Sequence, residues 1–399
     1  MTHAARRTPR STPAPARRTI GRPVGSGSSP SMTDAQRTQV IRTEVQAAAA
    51  RLRDRHPWLD HQDAIGLFIQ LASVAGMVAC AVLYLQGMLA WWLTVPLVAI
   101  LAAFTHEMEH DLIHQLYFKK NKPMQDFLLL IGWIARPSTI NPWGRRHLHF
   151  HHHKVSGMRS DLEERSITNG EPWGIKRFLM LVDSMLANVL RVPTVMRYTG
   201  LYIREVDRPQ NPGEVRRAVI AKMSLYMPLG HVCWGTWHAF VVFHAVNLGG
   251  QWVGQPVVWP EWVHSAMTWV NAATVCWVGP NVLRTFCLHF VSSNMHYYGD
   301  IEKGNVMQQC QVWTHPVFWP VQLFCFNFGS THAIHHFVVG QPFYVRQMIA
   351  GEAHAVMRRM GVRFNDFGSF RRANRWGEHN PAAEREAARQ TAARPASAA

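Results

Sequence analysis

The sequence predicts an all-α integral membrane protein: four transmembrane helices in two hairpins, with a helical cap on the cytoplasmic side. Two windows of the 399-residue chain, 56–118 and 223–283, contain none of its 41 Lys and Arg residues. Each window has room for two membrane-spanning helices and a turn. Three clusters of histidines lie at the end of the first window or in the charged segments, which predicts a chemical site in the cap.

The uncharged runs define the four predicted spans. A hydrocarbon core about 30 Å thick requires about 20 apolar residues in a helix, and residues 64–85 contain no charged side chain. Residues 88–104 follow after a short turn, so these two runs predict a helical hairpin. Residues 223–246 and 262–283 predict a second hairpin. Core helices of a large soluble protein are the alternative, but two paired windows of this length favour the membrane.

The distribution of basic residues predicts the orientation. Both turns within the hairpins lack Lys and Arg, whereas the N-terminal segment, residues 119–222 and the C-terminal region carry all of them. Because basic segments stay in the cytoplasm, we expect a multi-pass protein with both termini and the cap on that side. Residues 1–50 are expected to be a disordered basic leader, residues 51–375 the membrane domain and residues 376–399 a disordered tail.

The net charge of +16 is high enough to suggest a nucleic-acid partner in a soluble protein. Because the charge is segregated from two apolar windows, no nucleic-acid partner is predicted. The basic face suits an acidic carrier protein and equally anionic lipid. The six cysteines are scattered and form no CxxC pair, so we expect free thiols and neither a zinc ribbon nor a disulfide framework.

The histidines indicate metal binding. Of 23 histidines, three lie in residues 106–114, five in residues 147–153 and three in residues 332–336. Spacings of i, i+3 and i+4 put imidazoles on one face of a helix. Imidazole suits Zn, Cu, Fe and Ni, and eight such nitrogens are twice the four that a tetrahedral zinc takes. Two metal ions are therefore predicted, bound by His106, His110, His149, His152, His153, His332, His335 and His336.

These clusters resemble the histidine boxes of the membrane fatty acid desaturase superfamily, HxxxH or HxxxxH followed by HxxHH and HxxHH. The corresponding motifs are HEMEH at 106–110, HFHHH at 149–153 and HAIHH at 332–336. The HYYG segment at 296–299 is similar to the motif that supplies a further histidine in that family, here His296. The resemblance covers residues 64–345, including both hairpins and the order of the boxes.

The resemblance implies two iron ions, bound by the eight histidines above and by His296, with O2 as co-substrate. It implies that hydrogen is removed from an unactivated methylene and that a double bond forms in a fatty acyl chain of a membrane lipid or other acyl substrate. The same nine histidines are the implied catalytic residues. Electrons are expected from a separate donor, such as a ferredoxin or cytochrome b5 with its reductase, because the chain has no HPGG or CxxC motif.

Several assignments stay open. The second box also fits the HxxxHH spacing of alkane hydroxylases, starting at His147, although HxxHHK starting at His149 is closer to acyl desaturases. His289 is the rival of His296 for the extra position, and the asparagine that the family has four residues earlier corresponds to Ser292. The sequence does not decide whether the chain forms a homo-oligomer. Nor does it decide whether metal is also bound by His114, His147, His151 or His289.

Acidic residues flank the first two boxes. A carboxylate can hold a metal-binding imidazole by its far nitrogen, but acidic side chains on a helix can equally face solvent. Both alternatives apply to six residues, namely Glu107, Glu109, Asp111, Asp161, Glu163 and Glu164.

Three other functions compete with desaturation. A di-iron lipid or alkane hydroxylase, or a ketolase of the same superfamily, starts from the same hydrogen removal, and the sequence does not separate these reactions. The HEMEH motif also matches the HExxH helix of zinc metalloproteases, with Glu107 as general base, but that function leaves both HxxHH triplets unexplained. A non-catalytic membrane anchor or lipid-binding protein is the third alternative. The acyl carrier, chain length and double-bond position are not encoded in a recognisable motif.

Overall fold

The computed structural model describes residues 32–182 and 187–377, and these residues form an all-α protein, as predicted. Their β-structure is limited to two isolated bridges, His296 with Cys310 and Val312 with Phe364. All six cysteines are free thiols, which is also as expected.

The helices follow one another along the chain as follows: α1 Asp34–Arg55, α2 Gln62–Leu85, α3 Trp91–Ile113, α4 Lys122–Ala135, α5 Pro142–Val155, α6 Leu162–Arg165, α7 Ile175–Val182, α8 Ala187–Tyr202, α9 Pro212–Met223, α10 Leu229–Trp252, α11 Glu261–Ala273, α12 Gly279–Met295, α13 Trp319–Leu323, α14 Phe328–Phe337, α15 Phe343–Met348, α16 Ala350–Arg359 and α17 Gly368–Arg371. A π-helical segment, Thr274–Val278, joins α11 to α12.

Helices α2 and α3 form the first hairpin. Among the described helices, these two are long and apolar enough to cross a membrane. Helix α2 has only four buried residues, whereas the second half of α3 is buried almost throughout. Helix α3 continues nine residues beyond the predicted span to Ile113, so the first histidine box lies on the same rigid helix as the apolar run.

The second hairpin consists of α10 and of the long helical stretch α11–α12 with its π-helical segment. The predicted span at 223–246 begins too early. Residue 223 is the last residue of α9, and a short 3-10 segment and Pro228 precede α10, which begins at Leu229. Proline donates no backbone hydrogen bond, so helices tend to restart at such a residue. This hairpin is not among the candidate spans, and the four-span topology therefore stays a prediction.

The N-terminal region is more ordered than the sequence predicts. Residues 34–50, predicted to be disordered, belong to α1, which begins at a capping box made by Thr33 and Gln36. One face of α1 packs against α16 and buries Ile41 and Val45. Residues 1–31 of the predicted leader lie outside the described residues.

The C-terminal end of the described chain is anchored. The backbone N–H groups of Trp376 and Gly377 donate to the Asp300 carboxylate at 2.7 and 2.6 Å. Residues 378–399 of the predicted tail lie outside the described residues.

Candidate metal centre

Four helical segments bring the histidines together. The C-terminal part of α3, the C-terminal half of α5, the end of α12 and α14 converge, although they are far apart in sequence. The histidines form two groups. Within each group, one ring nitrogen of every histidine lies within 4.8 Å of the corresponding nitrogens of all the other members. The first group, called the five-histidine group, contains His110, His114, His149, His153 and His335. The second, called the four-histidine group, contains His152, His296, His332 and His336.

The Nε2 atoms of four members of the five-histidine group lie close to one another. The Nε2–Nε2 distances are 2.9 Å for His114–His149, 3.0 Å for His114–His335, 3.0 Å for His153–His335 and 3.1 Å for His149–His153. Two metal–nitrogen bonds of about 2.1 Å at right angles place their nitrogens about 3.0 Å apart. The spacing therefore matches that of ligands around one ion.

The second nitrogen of His149 identifies the tautomer of its ring. Its Nδ1 lies 2.8 Å from Glu163 Oε2, and a carboxylate only accepts, so Nδ1 carries the proton. Nε2 of His149 then holds a lone pair, which a metal ligand requires. Burial lowers the pKa of His149, and this outweighs the opposing effect of Glu163, so the ring is neutral, as coordination requires.

The four-histidine group also brings Nε2 atoms close together, and all of its members are buried. The Nε2 atoms of His332 and His336 are 3.1 Å apart. His296 donates from Nδ1 to the backbone oxygen of Ser292 at 2.9 Å, which leaves a lone pair on Nε2. That Nε2 atom is buried and has no hydrogen-bond partner among the described residues. A buried lone pair without a partner is costly, and a metal ion at the centre of the group would satisfy it.

Carboxylates orient rings in both groups. Besides the Glu163–His149 contact, Asp161 Oδ2 lies 2.9 Å from His152 Nδ1, and Glu164 Oε2 lies 3.5 Å from His296 Nδ1. Burial opposes ionisation of Asp161, but His152 and a backbone N–H lower its pKa below the usual value. These three acidic residues therefore face imidazoles and not solvent.

The acidic residues in and beside the first box form ion pairs with arginines. Glu107 and Asp111 each lie 3.3 Å from Arg346, and Arg346 Nη1 lies 2.8 Å from His335 Nδ1. Glu109 pairs with Arg136 and with Arg145, the latter at 2.9 Å. All three carboxylates are buried, so they are not solvent-facing residues of a helix.

Sequence reasoning missed three side chains that contact these rings or their carboxylate partners. Arg346 contacts His335, and Gln309 Oε1 lies 2.8 Å from His336 Nδ1. Arg145 bridges Glu109 and Glu163 at 2.9 and 3.0 Å. None of the three belongs to a box motif.

His106 is the one predicted ligand that lies outside both groups. Its Nδ1 faces Arg136 Nη1 at 3.3 Å, and its Nε2 is buried without a hydrogen-bond partner among the described residues. Eight of the nine predicted histidines are brought together, and His114, whose role the sequence left open, joins them. The segment 110–114, HDLIH, has the same HxxxH spacing as HEMEH, so the signal for this pair is present in the sequence.

The other histidines that the sequence left open lie outside the groups. His151 Nε2 contacts Ser160 Oγ at 3.0 Å. His147 is not a member of either group, and His289 lines the cavity beside them.

This cavity, of about 180 Å3, lies against both histidine groups. His110 and His149 of the five-histidine group contribute to its wall, as do His152 and His332 of the four-histidine group. Apolar side chains from α5, α8 and α12 form part of the remaining wall, together with several cations and hydroxyl groups. A molecule bound in this cavity contacts the residues that surround both candidate ions.

Comparison with protein families identifies the chain. The model of the fatty acid desaturase family matches residues 86–368. The chain belongs to this family. Its members are membrane-bound oxidoreductases known as di-iron enzymes, and the two buried histidine groups fit that chemistry. A search of curated proteins found no match to this chain.

Proposed function

We propose that this protein is a membrane-bound, O2-dependent di-iron desaturase that introduces a double bond into a fatty acyl chain. The observation that carries the proposal is the convergence of Nε2 atoms in two neighbouring groups, at distances typical of ligands around one ion. Family membership supports an oxidoreductase acting on lipid.

The proposed ligands are the nine histidines of the two groups, with one iron ion in each. His110 and His114 thus replace His106 and His110 as the pair from the first box. When bound, the iron pair supplies the chemistry that activates O2. The chain holds the rings in place through Glu163, Asp161 and the other Nδ1 partners, since such contacts fix both the tautomer and the ring orientation.

Double-bond formation removes two hydrogen atoms from adjacent methylenes, which become one CH=CH unit. Reduction of O2 to two water molecules takes these two hydrogens together with two further electrons and two protons. The two electrons come from a separate one-electron carrier, such as a ferredoxin or cytochrome b5 with its reductase. The cavity beside the histidine groups positions the acyl chain so that one pair of methylenes reaches the centre.

We also propose the four-span arrangement, with both termini and the metal centre cytoplasmic. Large apolar side chains are exposed on the first hairpin and also on the second, where Trp252 is 91% exposed and Trp262 is 72% exposed. Exposed apolar surface of this extent is typical of lipid contact. The membrane domain of residues 51–375 is extended at its N-terminus to Asp34, where α1 begins.

The zinc protease alternative requires His106 and His110 to bind one ion, with Glu107 free to act as a base. In the structure His106 is outside the group that contains His110. Glu107 lies 3.3 Å from Arg346 and is buried. This geometry does not support proteolysis.

The proposal is tested by expression in a host with suitable electron carriers, followed by mass spectrometry of its lipids. We expect a new double bond with the wild type and none with His335→Ala. His56→Ala is the matched control, because His56 is exposed and lies at the end of α1, outside both groups. It should give the wild-type product. Hydroxylated or keto products without a double bond would instead establish the hydroxylase or ketolase alternative.

A further inference from the structure

The cavity beside the histidine groups is more cationic than an acyl chain requires. Its charged lining consists of four cations and two carboxylates, namely Arg145, Arg191, Lys222 and Arg284 with Glu163 and Glu164. An unfunctionalised hydrocarbon segment gains nothing from buried charge, which is costly unless it is paired.

Most of these charges have partners within the protein. Arg145 pairs with Glu163 at 3.0 Å, and Lys222 pairs with Asp207 at 3.4 Å. Glu164 accepts hydrogen bonds from Ser292 Oγ at 2.6 Å and, more weakly, from Tyr298. Arg191 donates to a backbone oxygen.

Arg284 differs from the others. Only 1% of this side chain is exposed, and no carboxylate of the described residues forms an ion pair with it within 4.0 Å. Its hydrogen bonds are to Thr285 Oγ1 at 3.0 Å and to Asn281 Oδ1 at 3.5 Å. A guanidinium has five N–H donors, so two neutral contacts leave a buried cation without a counter-charge.

The arginines near Arg284 already occupy the carboxylates that lie closest to them. Arg136, also fully buried, interacts with Arg284 electrostatically. Its carboxylate partner is Glu109, which is shared with Arg145. Within this cluster, the guanidinium groups of Arg136, Arg145 and Arg284 face two carboxylates, Glu109 and Glu163. Arg136 and Arg145 therefore have carboxylate partners in direct contact, whereas Arg284 at the wall of the cavity does not.

His106 supplies a second donor on the same wall. Arginine only donates, so the 3.3 Å contact with Arg136 Nη1 makes His106 Nδ1 an acceptor. In the neutral ring the proton is then on Nε2, which is buried and has no partner among the described residues. His106 is 3% exposed and lines the cavity. The Ser138 hydroxyl, also buried and without a partner, lines it as well.

We infer that this cavity binds a carboxylate of the substrate, with Arg284 as the counter-charge and with His106 and Ser138 as further donors. The inference deepens the proposed function and rests on it: the substrate is a free fatty acid and not an ester or thioester. A cavity of about 150 Å3 holds benzene, so 180 Å3 admits a carboxylate and a few carbon atoms. The oxidised methylenes are then close to the carboxyl end.

Ligand binding tests this inference without turnover. The full chain, purified in a non-ionic detergent, is titrated with radiolabelled dodecanoate and with methyl dodecanoate. We expect the wild type to bind the acid more tightly than the ester. A hydrogen-bonded charge pair predicts that Arg284→Gln weakens acid binding by about 10- to 100-fold and leaves ester binding unchanged. Arg284→Lys keeps the charge and should show a smaller loss.

Arg177→Gln is the matched control. Arg177 is also fully buried, but its guanidinium donates to Asn294 and Asn374 at 2.9 and 2.8 Å and does not line the cavity. It should leave the ratio of acid to ester affinity unchanged. Equal affinity of the wild type for acid and ester would overturn the inference. This comparison uses the wild-type protein alone and therefore does not depend on whether a variant folds.

Iron content and double-bond formation, measured on the same preparations, separate the two claims. A wild type that contains two irons and desaturates an ester or thioester, without a preference for the free acid, overturns only the carboxylate site. A preparation that binds the acid but contains no iron after iron-replete expression overturns the proposed function.

Discussion

The two histidine groups differ in burial and in what holds their rings. All members of the four-histidine group are buried, whereas His114 and His153 of the five-histidine group are half-buried. Asp161, Gln309 and a backbone oxygen accept from rings of the four-histidine group. In the five-histidine group Glu163 accepts from His149, but His335 faces a guanidinium. One fold thus places two candidate metal sites side by side in unequal surroundings, and the more open site has more histidines.

The largest expected effect comes from two adjacent histidines of α14 that belong to different groups. His336→Ala leaves three imidazoles in the four-histidine group, and His335→Ala leaves four in the other. Both variants should lose double-bond formation. His336→Ala should lose the iron of its group, because few ligands remain, and His335→Ala should retain more. Iron per chain, measured by elemental mass spectrometry, checks this difference. Equal iron contents would remove the distinction between the groups.

The second prediction concerns which pair of the first box binds metal. His114→Ala should lower the iron content, since His114 Nε2 lies 2.9 and 3.0 Å from two other Nε2 atoms. His106→Ala should keep both irons, because His106 is outside the groups. The two variants are matched in chemistry and differ by two helical turns. Loss of iron in His106→Ala together with full iron in His114→Ala would restore the pair predicted from the sequence.

A smaller effect is expected from the carboxylates that orient the rings. Asp161→Asn and Glu163→Gln keep the shape of the side chain but weaken the contact with His152 or His149. Loss of such a partner typically costs about 10- to 100-fold in metal affinity or activity. Titration of the purified apoprotein with Fe2+ measures the affinity. Wild-type affinity in both variants would show that the acidic residues do not hold the rings.

The smallest effect concerns the order in which the ions are lost. A chelator should remove iron first from the more open five-histidine group, which includes two half-buried rings. We expect two kinetic phases of about equal amplitude when iron release is followed by absorbance of the chelate. With His114→Ala the fast phase should be reduced. A single phase in the wild type would mean that the groups are equally accessible.

Much of the fold followed from the sequence, because apolar windows and turns are local signals. The leader was an exception. The apolar positions of α1, including Ile41, Val45 and Leu52, have helical spacing, but they are diluted by Arg, Gln and Ala. Their burial depends on α16, some 300 residues away. Composition alone could not predict that contact.

Within the site, spacing predicted which helix face carries the imidazoles but not their position along the helix axis. His106, His110 and His114 all lie on one face of α3. Which pair meets the rings of α5 and α14 depends on how the helices pack, a tertiary property. The contacts of Gln309 with His336 and of Arg346 with Glu107 likewise join separate segments and have no motif of their own.

The most direct test is the iron content of the purified wild-type chain, measured together with His106→Ala and with Mössbauer spectra of iron-57 enriched protein. We predict about two irons per chain in both proteins and two distinct iron environments in the spectra. A single iron, or one zinc that is lost in His106→Ala, would contradict the two-group metal centre.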